Sequence, residues 1–378
     1  MVGPLNYRNL KVQSVNLKAG LVIVGRLAVG LLILLAASTS VSGENRRVKA
    51  KVGVEYDGNV FEETDDRTGG LRARFYLDSS STLFRSERVL ASLRYQAGFK
   101  RYLGSVPQDS LSAVEPIVNS LSLDLGHKLT ERIVVAIGSE LKSRILIDGG
   151  QRHLPNQDGY LQGAAGLSLK IGLSRDLVGT LSCQGSFVNF KDFQEFDLRA
   201  REIQIALDKR FSGRLRCGLE ASWKRLNFNR DSLNKEWQPR EEPQRDSLLQ
   251  TGFNFKFYRL FLMNGSYSFL TSSSNSCGYS FSAHRFTLLL GKMLTNQISL
   301  QLYGIFQLKR YTDNIPEIPL VFVPHKELEG TVLVAKLSGD ITDRYAIDVK
   351  YALHRDESVQ RDRFHTKSLY SSSLSLTF

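Results

Sequence analysis

The chain ends in Tyr370-Ser371-Ser372-Ser373-Leu374-Ser375-Leu376-Thr377-Phe378. Leu374, Leu376 and Phe378 recur at every second position, and a serine or a threonine separates them. Successive side chains of a β-strand point to opposite faces, so this period of two predicts a strand with one apolar and one polar face. The stretch therefore predicts a two-faced strand that ends on an aromatic residue.

The same alternation recurs from residue 48 onward, in segments of about ten residues, as expected of strands that cross a membrane. In 48–56 every even-numbered residue is apolar or aromatic, while the odd-numbered ones include Lys49, Lys51 and Glu55. A register shift of one residue would place charges on the apolar face, so the faces are well determined. Sixteen such segments can be placed along the chain.

The connections between these segments alternate between short and long. The short ones are predicted near 127–130, 174–177, 208–212, 258–259, 292–296 and 339–343. The long ones are predicted at 57–69, 101–116, 143–158, 227–245, 271–280, 310–325 and 355–367. Two connections break the alternation, a long one at 78–87 and a short one at 190–196.

Two-faced strands, turns that are short on one side only and a carboxyl-terminal aromatic together resemble bacterial outer-membrane β-barrel proteins of the porin-like class. The resemblance implies an all-β fold over residues 44–378, a closed antiparallel transmembrane barrel of about 16 strands in the outer membrane of a Gram-negative bacterium. It further implies that barrel-insertion machinery reads Tyr370, Leu374, Leu376 and Phe378. Because an unpaired edge cannot remain in lipid, the last strand is predicted to pair with 48–56.

Residues 1–43 predict a secretory signal peptide. Four basic residues precede or interrupt the apolar run 27–37, and small residues follow it at 38–43. A bilayer takes about 20 residues to cross, so this run is too short for a transmembrane helix. Counting from Leu21 leaves an uncleaved anchor as the alternative. A mature chain that begins near Gly43 or Glu44 leaves no room for a plug domain before the first strand.

The composition narrows the range of functions. The chain has 50 Lys and Arg residues against 38 Asp and Glu residues, but these charges are scattered, which argues against nucleic-acid binding. Cys183, Cys217 and Cys277 lack the spacing of a metal site or a disulfide scaffold, and no cofactor is predicted. His354 could pair with a nearby carboxylate, but the sequence contains no recognisable nucleophile motif. No enzyme is therefore predicted.

The polar face of the predicted barrel is mostly basic. Ten of its residues are proposed to meet solute, namely Arg72, Arg74, Arg88, Arg94, Lys100, Lys170, Arg214, Arg216, Lys256 and Lys309. Six more basic residues share this face, namely Lys49, Lys51, Lys142, Lys224, Lys336 and Lys350. The acidic residues there are Glu55, Asp124, Glu140, Glu202, Glu220 and Asp348. The lumen is therefore expected to carry a charge of about +10, which favours anions.

The sequence thus predicts a channel that passes small anionic solutes. Two alternatives stay open, an export channel for an anionic polysaccharide and a structural or surface-interaction barrel with a blocked lumen. The charged loop predicted at 227–245 is long enough either to constrict a pore or to stay solvated. The expected partners are outer-membrane lipid, the insertion machinery and the anionic solute or polymer, with the oligomeric state left open.

Overall fold

The computed structural model describes residues 46–58, 69–103, 116–146, 159–312, 330–356 and 365–378. Within these ranges the chain forms sixteen β-strands. They are β1 Arg46–Asp57, β2 Gly70–Arg85, β3 Val89–Tyr102, β4 Pro116–Thr130, β5 Ile133–Leu146, β6 Tyr160–Gly172, β7 Leu177–Phe190, β8 Leu198–Arg210, β9 Leu215–Leu233, β10 Pro239–Tyr258, β11 Leu262–Ser274, β12 Phe281–Met293, β13 Ile298–Tyr311, β14 Thr331–Asp340, β15 Tyr345–Asp356 and β16 His365–Thr377. A 3₁₀ turn at Gln194–Phe196 is the only helix in the described ranges. This helix is not long and apolar enough to span a bilayer.

The strands close into a barrel. Each pairs antiparallel with its neighbours in sequence, and β1 pairs with β16. The register sets Ala50 opposite Leu376 and Tyr56 opposite Tyr370. Past the end of β16, the Phe378 N–H donates to the Val48 carbonyl at 2.9 Å. Both the predicted strand number and the predicted closure against 48–56 are confirmed. The predicted signal peptide, 1–43, lies outside the described residues.

The apolar face of each strand lies on the outside of the barrel. Large apolar side chains stay half exposed there, for example Leu219 at 59% and Ile205 at 57%. Water-soluble proteins rarely expose contiguous apolar surface of more than a few hundred Å², whereas a membrane barrel turns such a band toward lipid. With its polar face directed inward, the chain has the architecture of an outer-membrane β-barrel.

The tight turns at one end share a local motif. Ser86, Thr130, Ser212, Thr295 and Thr342 each accept a backbone N–H from the residue three positions later, at 3.0–3.2 Å. These hydroxyls satisfy a backbone donor that the strand ladder leaves unpaired at the turn. The motif recurs at five of the short connections and marks them as one end of the barrel.

Three predicted connections were wrong. The turn predicted near 127–130 lies at 131–132 instead, because β4 continues to Thr130. The residues 78–87 are mostly strand, because β2 continues to Arg85 and leaves a turn of only three residues before β3. The predicted loop 227–245 is a hairpin extension instead, in which β9 and β10 run for 19 and 20 residues and 234–238 joins them. The sequences of 78–87 and 227–245 do not alternate regularly between apolar and polar residues, because strand residues beyond the lipid need no apolar face.

The closing pair of strands makes its tightest approach at Gly53. A Cβ added there would lie 2.6 Å from the Ser373 Cβ and would also meet the Ser372 carbonyl oxygen. We expect Gly53→Ala to lower the free energy of unfolding by roughly 1–3 kcal/mol, the usual cost of overpacking. Urea titration of the refolded barrel measures this. Gly339→Ala is the matched control, since its Cβ would meet nothing within 4 Å, and an equal loss there would contradict the explanation.

Candidate functional site

Charged side chains gather on the inner face where the barrel closes. They come from six adjacent strands, β14, β15, β16, β1, β2 and β3, and we refer to them as the seam cluster. Its members are Lys51, Glu55, Asp57, Arg72, Arg74, Lys100, Lys336, Asp348, Lys350 and Lys367. Three carboxylates face seven basic side chains in this set, so the local charge is positive.

Asp348 on β15 holds two lysines from different strands. Lys51 Nζ lies 2.6 Å from one carboxylate oxygen and Lys336 Nζ lies 3.0 Å from the other. The Ser338 hydroxyl also donates to this carboxylate, at 2.7 Å. The carboxylate is 7% exposed, so its charge is balanced locally rather than by bulk water.

The other two carboxylates repeat this arrangement on β1. Glu55 receives Arg74 at 2.7 Å and Lys100 at 3.0 Å. Asp57 receives Arg72 and Lys367, each at 2.9 Å. Each carboxylate therefore binds two cations and leaves one positive charge in excess.

Short side chains on β16 and β1 make these contacts possible. Ser373 lies opposite both Asp348 and Gly53, so no bulky residue stands between β15 and β1 on the inner face. The Lys51 side chain can therefore reach diagonally across β16 to Asp348. Diagonal neighbours in a sheet are within reach of long side chains only when the intervening position is small.

A cavity of about 360 Å³ opens on this inner wall. We refer to it as the seam pocket. Its cationic lining comes from Lys51, Arg74, Lys100, Lys336 and Lys350, and its hydroxyls come from Ser371 and Ser373. Within the described part of the chain, Lys350 makes no ion pair. Ammonium, guanidinium and hydroxyl groups are hydrogen-bond donors, so the pocket suits an oxyanion such as a carboxylate, sulfate or phosphate.

The remaining residues predicted to meet solute are dispersed. Arg94 faces inward and forms a bidentate contact with Asp78, at 2.7 and 2.9 Å. Arg88 and Arg214 do not lie on strands, because the structure places them in the turns that precede β3 and β9. They therefore lie at the short-turn end of the barrel and away from the seam pocket.

Four further basic residues of the prediction lie on inner-wall strands outside the seam cluster. Lys170, Arg216 and Lys256 lie on β6, β9 and β10 with their faces inward, and among the described residues none of them forms an ion pair. Lys309 on β13 lies over the rings of Phe281 and Tyr311, at 4.2 and 4.6 Å from the centroids. The structure thus brings Arg72, Arg74 and Lys100 together, and leaves the others apart.

Sequence reasoning missed several inner-face charges. Asp57, Asp78, Asp208 and Asp246 all fall on inward positions of the register, whereas the sequence predicts connections at the first three and no strand at Asp246. Lys367, predicted in the connection 355–367, lies on β16 instead. Arg144, Arg230 and Arg285 also lie on the inner face, so the missed acidic residues are matched by missed basic ones and the excess of basic residues persists. Extending the alternation by one position past Tyr56, Leu77 and Leu207 would have found the first three of these acids. Asp246 and Lys367 follow no apolar outward residue, so no local signal marks them.

A second polar cluster lies at the long-loop end, inside the β9–β10 hairpin. Arg230 is held between the rings of Phe196, Phe228 and Tyr279, at 4.9, 5.2 and 4.6 Å from the centroids. Its Nε donates to the Gln244 side-chain oxygen at 2.8 Å, and the Gln244 amide donates to Asp246 at 3.0 Å. We refer to these residues as the mouth cluster.

The mouth cluster anchors the connection 275–280 to the inside of the hairpin. The Leu233 N–H donates to the Ser276 hydroxyl at 2.9 Å, and Tyr279 is 6% exposed. Burial raises the pKa of the Tyr279 phenol, which therefore stays protonated at neutral pH. The segment that lines the mouth is consequently 275–280, while the predicted loop 227–245 forms the hairpin on which it packs.

The residues of the predicted insertion signal lie on the outer face of β16. Leu374 and Leu376 lie opposite Val52 and Ala50. The Tyr370 ring contacts the rings of Tyr351 and Tyr56, with centroids 4.9 and 6.4 Å apart. This apolar side of the closing strand faces lipid.

No protein-family model and no curated protein matches the sequence. Among solved structures, OccAB4 of Acinetobacter baumannii is similar over 89% of this chain and 99% of its own, with 8% identity and a TM-score of 0.48. OccD3 (OpdP) of Pseudomonas aeruginosa is similar over 89% and 92%, with 8% identity and a TM-score of 0.47. A bacterial polysaccharide outer membrane secretin has a TM-score of 0.43 at 8% identity, over 89% of this chain and 100% of its own. At such scores these similarities do not bear on the solute.

The mouth cluster generates a prediction about stability. Arg230→Met removes the donor to Gln244 and the charge that fills the space between three rings. We expect it to lower the free energy of unfolding by roughly 2–4 kcal/mol, from an unsatisfied buried acceptor and a poorly filled cavity. Urea unfolding followed by tryptophan fluorescence measures this.

Arg240→Met in the same hairpin is the matched control. Arg240 and Glu242 are both about half exposed and 3.6 Å apart, and an exposed pair contributes less than about 1 kcal/mol. If both variants lose the same free energy, Arg230 does not hold the mouth together.

Proposed function

We propose that this barrel is an outer-membrane channel that passes small solutes with a preference for anions, and that the seam pocket is where anions bind transiently on the way. Barrels of sixteen strands are wide enough to leave an aqueous lumen that side chains do not fill. Within such a confined space, fixed charge on the wall selects for the opposite charge in solution. The positive excess of the seam cluster is the observation that carries the proposal.

The arrangement of ion pairs supports the sign of this preference. Each of the three buried carboxylates is shared by two cations, so the cluster keeps a positive excess although every acid is paired. Lys350 adds a charge that no described acid neutralises. Because the cations are held in place by the carboxylates, they form a rigid wall rather than a set of mobile side chains.

The same arrangement keeps anion binding weak. Conduction requires that a solute bind well enough to enter and loosely enough to leave. The carboxylates compete with a solute anion for the lysine and arginine donors, so an anion in the seam pocket replaces only part of its hydration shell. A short dwell time at several wall positions is the behaviour expected of a passive channel.

Planar-bilayer conductance of the refolded protein separates this function from its alternatives. A steady conductance with an anion-selective reversal potential in a salt gradient supports the channel. The absence of any conductance favours a structural barrel with a blocked lumen. A conductance that an acidic polysaccharide blocks from one side at low concentration favours an export channel for an anionic polymer.

Lys350 provides the sharpest test of the lumen charge. Arg72 and Arg74 each neutralise a buried carboxylate, so removing them disturbs the wall, whereas Lys350→Gln removes a charge without freeing an acid. We expect the reversal potential to shift toward cation selectivity, since one positive charge in the pore is lost. Lys209→Gln is the matched control, because Lys209 lies on the outer face of β8, and its reversal potential should equal that of the unmodified protein. An unchanged value in Lys350→Gln would contradict a basic lumen.

The opposite change is expected at Glu55. Glu55→Gln keeps the shape of the side chain but leaves Arg74 and Lys100 without their shared carboxylate. The pore then gains net positive charge, so the reversal potential should move further toward anion selectivity. Glu242→Gln, in the exposed hairpin, is the control for loss of an acid outside the pore. A shift toward cations in Glu55→Gln would show that this wall does not face the conducting path.

A further inference from the structure

The outer face of β8, β9 and β10 breaks the rule that this side of the barrel is apolar. Arg199 and Arg201 on β8, Arg225 on β9 and Arg245 on β10 all fall on outward positions of the register. Arg201 lies opposite Arg225, and Asn227 lies opposite both Arg199 and Arg245. All four side chains are exposed. We refer to these four residues as the outer arginine cluster.

The outer arginine cluster lies directly beyond the apolar band, on the long-loop side. One step beyond the pair Arg201 and Arg225, toward the middle of the barrel, Ile203, Trp223 and Leu249 lie side by side on the outer face, all of them at least 42% exposed. Trp223 donates from its indole nitrogen to the Ser247 hydroxyl at 2.8 Å. An outward tryptophan with its polar end satisfied is typical of the lipid–water interface. The arginines therefore stand at the level of lipid headgroups.

The outward positions around these arginines are nearly free of acids. In the described register of β5 to β10, from Ile133 to Phe257, the only acidic residue on an outward position is Asp231, which lies opposite Pro243 and beyond the cluster toward the loops. Among the described residues none of the four guanidinium groups forms an ion pair. Four like charges this close repel one another, and charge at the edge of a hydrocarbon layer is costly. An anion from outside the protein would remove both costs.

A groove runs from the outer arginine cluster down the apolar band. Two neighbouring cavities, of about 960 and 650 Å³, share the lining residues Ala165, Gly185 and Arg201. The part near the loops is lined by Phe187, Arg199, Arg201 and Asn227. The part toward the middle of the barrel is lined by Ile137, Leu167, Cys183, Ile203 and Trp223. The groove is thus cationic at its loop end and apolar below.

Small residues form the floor of the groove. A Cβ added at Gly185 would meet no atom within 4 Å, so the surface there is open. Phe187 makes one wall, since its ring covers Gly163 and a Cβ there would lie 2.6 Å from the ring Cζ. The depression is therefore built by Gly185 and Ala165 between larger neighbours, and it has the width of a narrow channel along the barrel wall.

We propose that this groove binds a phosphate-bearing acylated lipid of the long-loop leaflet, with the phosphate on the outer arginine cluster and an acyl chain over Gly185. Arginine pairs with phosphate through two parallel hydrogen bonds, which fits a cluster of unpaired guanidinium groups. The apolar lower part supplies the surface that an acyl chain covers, and a free phosphate ion would leave that part unused. This inference does not depend on what the lumen conducts.

Trp223 reports on this site directly. The chain has two tryptophans, Trp223 in the groove wall and Trp237 in the hairpin connection. In a Trp237→Phe background, brominated lipids that occupy the groove quench the only remaining tryptophan. Vesicles that contain brominated phosphatidylglycerol and unbrominated phosphatidylcholine are compared with vesicles in which only the phosphatidylcholine is brominated. We expect the ratio of quenching between the first and the second sample to be at least about five. One basic residue near an anionic lipid surface contributes about 1 kcal/mol, which corresponds to a factor of about five.

Two variants test whether the outer arginine cluster causes the preference for phosphatidylglycerol. Arg199→Gln with Arg201→Gln should reduce the ratio to near one while the barrel retains its strand circular dichroism. Lys209→Gln, on the same outer face at the short-turn end, should keep the full ratio. If the double variant keeps the preference, or the unmodified protein shows none, the proposal fails.

A third variant tests the groove apart from its charge. Gly185 lies opposite Arg201, so Gly185→Leu fills the floor while it leaves all four arginines in the chain. We expect it to lower the ratio about as much as the loss of one arginine does, roughly fivefold. An unchanged ratio in Gly185→Leu would mean that no acyl chain lies there. If millimolar inorganic phosphate alone abolishes the preference, the cluster is an ion site and the lipid assignment is wrong.

Discussion

The rest of this structure depends on the need to pair every backbone hydrogen-bonding group inside a lipid layer. No water reaches the middle of a bilayer, so an open sheet edge there would leave a row of unpaired donors and acceptors. The chain meets this requirement where Phe378 and Val48 exchange backbone hydrogen bonds, 330 residues apart in sequence. Because the two end strands must approach closely, β1 carries Gly53 where β16 carries serines.

The closure also creates the charged wall of the lumen. Lys51 and Asp348 are 297 positions apart, and they meet only when β1 and β16 pair. The serines that permit the close approach are short enough for a lysine to reach across a whole strand. The seam cluster is therefore a property of the closed barrel, and its charges would separate if the end strands parted. Stability and lumen charge share the same residues.

The strand pattern could be predicted from the sequence because lipid enforces it. A strand such as 48–56 must present an apolar residue outward at every second position, so its sequence alternates clearly. Strand residues beyond the lipid lack this alternation, and for this reason the hairpin arms around Asn227 and Arg245 resembled a loop. The ion pairs could not be predicted either. They depend on the stagger between neighbouring strands, which decides whether Glu55 meets Arg74 or Arg72 as its closest partner.

Basic residues on the two faces of the barrel are in different physical situations. Inside, Arg72 and Arg74 are held by carboxylates of the same chain, and water in the lumen screens what remains. Outside, Arg199 and Arg201 stand at the edge of a layer of low dielectric constant, where an unbalanced charge is costly. Among the residues that the structure describes, acids lie where the barrel borders water, and none lies on the apolar band that borders lipid. A membrane that contributes the missing anions would complete the outer surface, as the carboxylates complete the inner one.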